Sequence, residues 1–192
     1  MNNIAYGILG EHRSDANTLK VIVRRLACNP SLPIKAKGYG GFPKMFCKGA
    51  TDLQAMKDLG CTRFIVCHDS DGHDPKRRLF DVDSKIVRPS GLASNCCVVI
   101  PVQELEAWIL ANVECATAIF TSWLPDPICN PEAIDSPKEY LEKLSRVHNG
   151  KPRYSHATHN EKVAQHLDLD RVATKCPSFR VLRDFVCGSC AG

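Results

Sequence analysis

The chain has 192 residues, 44% of them apolar and 24% charged, the balance of an ordinary globular domain, which excludes disordered and fibrous classes. Its length suits one well-buried core, and no run approaches the roughly 18 unbroken apolar residues of a spanning helix. A formal net charge of +4 permits a nucleic-acid partner without specifying one.

The opening MNNIAYGILGEH has neither a basic leader nor a small-residue cleavage site, which predicts a cytoplasmic protein without a membrane partner. Residues 4–9, IAYGIL, read as a buried strand. Glu11-His12-Arg13 follows, then Ser14-Asp15 as a helix N-cap pair, with Leu19, Ile22, Val23 and Leu26 at helical spacing. That predicts an amphipathic helix over 15–27, closed by Pro30 and Pro33. A weaker strand is expected over 34–39. Thr51 reads as the next N-cap, before Leu53, Met56 and Leu59, with Gly60 as the terminator.

Residues 63–67, RFIVC, predict a central strand, ending in His68-Asp69-Ser70-Asp71-Gly72-His73-Asp74-Pro75. Residues 76–94 read as polar and irregular. Another strand, 96–100, meets Pro101, which opens a helix over 102–112. Strand and helix alternate over the first ~110 residues, which predicts α/β architecture with a mostly parallel sheet of about four strands. Past Pro125 only helices are expected, at 137–147 (capped by Ser136), 159–167 and 178–187. The reading is therefore an α/β domain over 1–125 and a helical C-terminal extension over 126–192, packed on the same core.

Eleven cysteines do not make a disulfide scaffold here. The number is odd, the chain is large enough not to need staples, and Cys61, Cys67, Cys96 and Cys97 sit in apolar runs as small hydrophobes. The lone Cys187-Gly188-Ser189-Cys190 lacks the second ligand pair of a structural zinc site. His156 and His159 have helical spacing but no third ligand nearby. Trp108 and Trp123 read as packing residues.

In parallel sheets, ligands gather at the carboxyl ends of the strands. Acids stand after three predicted strands: Glu11, then Asp69 and Asp71, then Glu104 and Glu106. With Val102 at zero and about 100° per residue, Glu106 falls at about 40°, inside the apolar stripe of Leu105, Ile109 and Leu110. Glu104 falls at about 200°, on the solvated side. A buried acid needs an ionic or hydrogen-bonding partner, so Glu106 is the functional candidate. Each acid alone has an ordinary explanation as a turn or helix cap. Together they repel unless a cation lies between them, and oxygen ligands suit Mg²⁺ or Mn²⁺. Lys76-Arg77-Arg78, just after the D-x-D loop, is a candidate phosphate contact or else a solvated run.

These residues carry a resemblance. Glu11-His12-Arg13-Ser14-Asp15 resembles the first motif of Toprim domains, and Asp69-Ser70-Asp71 resembles their D-x-D. Pro101 to Leu110, containing Glu104-Leu105-Glu106-Ala107-Trp108, resembles the signature of a bacterial Toprim-like group catalogued as DUF4276. Ser136-Pro137-Lys138 and Cys176-Pro177-Ser178-Phe179-Arg180 fit the same group. His12 stands where that pattern usually has glycine, which implies an altered loop.

The resemblance implies a Toprim-like fold and a metal-dependent nuclease, related to the OLD-type enzymes of phage defence. It implies catalytic roles for Glu11, Asp69 and Asp71, with Asp69 and Asp71 holding Mg²⁺ (or Mn²⁺) and Glu11 acting as base or completing the shell. Glu106 and Asp74 would ligate a second ion. It also implies a separate ATPase partner.

Two other classes remain open. A degenerate domain could serve as a sensor or adaptor. Asp69-x-Asp71-Gly72 also resembles the motif of haloacid-dehalogenase-type phosphatases, though here it follows an internal strand. No Walker A loop, dinucleotide-binding glycine fingerprint or EF-hand spacing is present.

Overall fold

The apolar runs of the first hundred residues become four parallel strands, in a computed structural model that describes residues 4–146 and 150–188. β1 (Tyr6–Gly10) is followed by α1 (Arg13–Leu26), β2 (Ile34–Gly38), α2 (Phe42–Asp58) and β3 (Arg63–Cys67). Next come α3 (Pro75–Val82), a π-helical turn (Asp83–Val87), the short α4 (Arg88–Ser90) and β4 (Cys96–Val99). The sheet order is β2-β1-β3-β4. Register is set by Tyr6 opposite both Ile34 and Arg63, and by Phe64 opposite Cys96. The chain steps from β1 to one side and then returns to the other, so the topological switch lies between β1 and β3.

Alternation along the strands divides the core. Tyr6, Ile8, Ile65, Cys67 and Val99 face one way, onto Leu19, Ile22 and Val23 of α1. Leu9, Phe64 and Val66 face the other, onto Met45, Leu53 and Met56 of α2. The edge strand β2 is mostly exposed and carries Lys35 and Lys37, charges that discourage a further strand from pairing.

Beyond β4 the described chain is helical: α5 (Glu106–Leu110), α6 (Pro137–Leu144), α7 (His156–Ala164), α8 (Leu169–Lys175) and α9 (Pro177–Gly188), with 3₁₀ turns at Val113–Ala118 and Pro131–Ala133. Leu141, Val163, Phe179 and Leu182 join the α1 side of the core. Trp108 is fully buried there, donating to Ser178 Oγ at 2.8 Å and meeting Phe179 edge-on. Trp123 is also buried. No described helix is long and apolar enough to cross a membrane.

Several expected boundaries move. α1 is capped by His12 rather than by Ser14-Asp15, because Asp15 is the third helical residue and reaches back to the His12 N–H at 2.8 Å. α2 begins nine residues before Thr51, capped by Gly41. Its buried stripe runs Met45, Gly49, Leu53, Met56, and glycine at the second position hid the period. Gly49 is there to admit Ile86, which a Cβ would meet at 3.0 Å.

Residues 76–94 are mainly helical rather than irregular; Val82, Ile86 and Val87 bury a stripe under a charged surface. The helix expected over 102–112 starts only at Glu106. Before it, Ser70 N–H and Asp71 N–H donate to the carbonyls of Pro101 and Gln103, holding that bent, non-helical stretch beside the D-x-D loop. The helix expected over 137–147 ends at Leu144, and residue 147 lies outside the described residues.

His12 does not distort its loop. Its φ of −117° and ψ of 162° are ordinary extended values that any residue adopts. The close approach falls on Gly38, where a Cβ would stand 2.4 Å from Arg13 N and 2.5 Å from His12 O. Gly38→Ala should therefore lower stability by roughly 1–3 kcal/mol, the usual range for overpacking, measured by urea denaturation. A midpoint equal to wild type would show that the two loops can move apart.

Candidate functional site

Glu11 leaves the end of β1 with its backbone fixed from below. Its carbonyl accepts N–H groups from Tyr39, Gly40 and Gly41 at 3.0, 2.8 and 3.1 Å. Three donors can converge because Gly40 and Gly41 adopt positive φ, which costs glycine little. The side chain, 6% exposed, crosses the switch point to the end of β3. There Oε1 pairs with His68 Nδ1 and accepts the Asp69 N–H at 3.2 Å. Glu11 thus points at the D-x-D, as the sequence predicts.

His68 is fully buried beneath two phenylalanines, with ring centroids 5.9 Å from Phe42 and 5.4 Å from Phe46. Its Nε2 and the nearby Ser70 Oγ are buried without a hydrogen-bond partner among the described residues. Such orphaned atoms are uncommon in native interiors.

Asp69 is the electrostatic centre. One oxygen accepts the Leu105 N–H at 3.1 Å. Its carboxyl is pushed well above the usual range, first by burial and then by the charges of Asp15, Glu106, Glu11 and Asp71. Asp15 is one that sequence reasoning missed, because its capping role hides a second one. It is buried, accepts from His12 N and Ser14 Oγ, and lies on the same stripe of α1 as Leu19 and Ile22. That stripe position was the available signal.

Asp71 stands further out, in a left-handed conformation (φ 49°) followed by Gly72 at 73°. It borders a cavity of about 460 Å³ bounded by Gln103, Glu104, Asp135, Ser136 and Glu139. Partial burial and Glu11 raise its carboxyl, while His68, Arg78 and His73 oppose the shift.

Glu106 is 4% exposed, the burial expected of it, although α5 begins at this residue and is buried on every side rather than along one stripe. Asn160 Nδ2 of α7 donates to its Oε1 at 2.8 Å, and the Tyr154 hydroxyl donates to Asn160 Oδ1. Burial pushes the Glu106 carboxyl up to about 7; Asn160 opposes that shift, and Asp15 and Glu104 add to it. Asn160 and Tyr154 lie some fifty residues downstream and carry no motif, so the sequence offered nothing to find them by. Glu104 is half-buried rather than solvated. Its Oε2 accepts the Lys138 N–H at 2.9 Å and so caps α6.

The remaining candidates lie at the margin. Asp74 is exposed and caps α3, accepting the Lys76 N–H at 3.0 Å. Lys76 and Arg77 are exposed on the first turn of α3. Arg78 turns back toward the loop, with Nε 3.4 Å from the Ser70 carbonyl. His156 faces Glu142 Oε1 at 3.4 Å, and His159 packs against Phe120 and Tyr154. Cys187 is exposed, with its Sγ 3.8 Å from the Leu26 carbonyl; Cys190 lies outside the described residues.

Among the described residues, no three His, Cys, Asp or Glu side chains converge in a geometry ready to hold a metal ion. The donor chemistry nevertheless suits a hard divalent cation. The five acids are oxygen donors whose mutual repulsion such an ion relieves, and the leading charges acting on Asp69 are all carboxylates.

Fold and site together define a parallel α/β domain with a carboxylate-rich crevice at its switch point. Residues 34–186 match the family model described as a domain of unknown function, DUF4276, and the chain belongs to that family. The matched span contains the D-x-D and Glu106 but begins after Glu11. No curated protein and no solved structure matched the chain.

The raised Glu106 carboxyl has a consequence for stability. With the folded value at about 7 against 4.5 unperturbed, its contribution is complete below about 4.5 and is lost as pH rises through about 7. In chelator-treated protein, Glu106→Gln should therefore gain roughly 1–3 kcal/mol at pH 8 and little at pH 4.5. Denaturant titrations at both values test this; a variant less stable than wild type at pH 8 would refute it.

Proposed function

We propose that this protein is a Toprim-like, divalent-metal-dependent nuclease that hydrolyses nucleic-acid phosphodiesters. The observation that carries the reading is Glu11 reaching from β1 to the D-x-D, held by His68 and the Asp69 N–H, with Asp15 and Glu106 crowding the same carboxylate. Burying so many acids together is unfavourable without a cation.

Asp69 and Asp71, with Glu11, would hold Mg²⁺ or Mn²⁺; Glu106 would serve a second ion, and Asp74 stands as a more distant candidate. When bound, such an ion neutralises phosphate and lowers the pKa of water. Glu11 orients the site, fixed by its carbonyl on one side and by His68 on the other. Leu105 N–H and Asn160 steer Asp69 and Glu106. Arg78, with exposed Lys76 and Arg77, would meet the substrate backbone. A role in phage defence beside an ATPase partner rests on the Toprim resemblance alone.

A second reading, a sensor or adaptor without catalysis, draws on the same Glu11. Its Oε1 is already engaged by two donors, and no ready-made ligand set stands beside it.

Purified protein incubated with plasmid, single-stranded DNA and tRNA decides between them. Cleavage is expected with Mg²⁺ or Mn²⁺ and not with EDTA. Asp69→Ala/Asp71→Ala should lower it at least about 100-fold. Cleavage that persists in EDTA, or in that variant, belongs to something else. His68→Gln is expected to cost about 10–100-fold in metal affinity or rate, the usual effect of removing an outer-shell partner. Wild-type activity with unchanged Mg²⁺ dependence would remove His68 from that role.

A further inference from the structure

Phe42 sits at the first turn of α2 and remains 40% exposed, although its ring lies 5.9 Å from that of His68 at an interplanar angle of 23°. His68 in turn holds Glu11. One side of this phenylalanine is therefore a single residue away from the acid crevice, while much of the ring faces solvent. Phe46, one turn further along, meets His68 edge-on and is only partly buried.

The surroundings of the ring are cationic. The Arg78 guanidinium is 5.7 Å from the centre of Phe42, and its Nε reaches the carbonyl of Ser70, between the two aspartates of the D-x-D. Lys85 Nζ stands 4.6 Å from the centre of Phe46. Lys44 and Lys48 are exposed on α2 itself. A partly exposed aromatic ring among cations, beside clustered carboxylates, matches the chemistry that binds unpaired bases and their phosphates. Duplex DNA hides its base faces within the stack, so such a ring has a partner only where a base is single-stranded or turned out.

We infer that Phe42 is a stacking platform for an unpaired base, and that the substrate entering this crevice is single-stranded nucleic acid. The inference rests on the nuclease reading for its site but concerns binding, so the two can fail separately. Arg78 takes a phosphate next to the stacked base, which brings the backbone past Asp71. DNA and RNA share the required chemistry.

Binding is measured by fluorescence anisotropy in an Asp69→Asn background, with single-stranded DNA, single-stranded RNA and duplex DNA of equal length. Both or either of the single strands should bind more tightly than duplex. Phe42→Leu should weaken single-strand binding about 10-fold, a typical stacking effect, whereas Phe42→Trp should retain it. Thermal melts of each variant show whether it is folded. Preference for duplex, no binding to any oligonucleotide, or equal losses for Leu and Trp would overturn the inference. Phe42-dependent binding in a wild-type protein that does not cleave would leave it standing while removing the nuclease. Cleavage indifferent to Phe42→Leu would do the reverse.

Discussion

Electrostatic crowding at one sheet edge governs this molecule. Asp69 is partly buried where Asp15, Glu106, Glu11 and Asp71 all act on it, and carboxylates in that arrangement oppose one another's ionisation. Keeping them together requires rigid supports. A parallel sheet provides them, because β1 and β3 are adjacent and end at the same level, with Leu9 opposite Val66. The Glu11 carbonyl, held by three N–H donors, prevents the loop from relaxing outward.

The two faces of the sheet contribute differently. On one side α2 brings aromatic rings over His68, sealing Glu11 from water. On the other, α1 supplies Asp15 and the C-terminal helices supply Asn160 to Glu106. Residues from the first strand to the seventh helix therefore meet around one crevice. The helical end of the chain is part of the site's construction as well as of the core.

Much of this was legible in the sequence because it depends on local pattern. β3 could be read almost to the residue, since an unbroken apolar run between turn signals has few alternatives. The burial of Glu106 was also expected, although α5 is buried on every side and shows no one-sided stripe. Where reading failed, a residue served two purposes or concealed its own. Gly49 interrupts the stripe of α2 because Ile86 needs the space. Asp15 looks like a cap, and is one, while also facing Asp69. Leu105 delays its helix because its N–H answers to Asp69 rather than to the next turn. Tyr154 and Asn160 are invisible until the chain folds back.

The relay from Tyr154 through Asn160 to Glu106 is buried along its whole length. Each member satisfies the next, so replacing one strands a polar atom away from water. Across relatives these three positions should consequently be inherited as a block, kept together or exchanged together for apolar side chains. Drift at one of them would mark a lineage in which the crevice has changed its use.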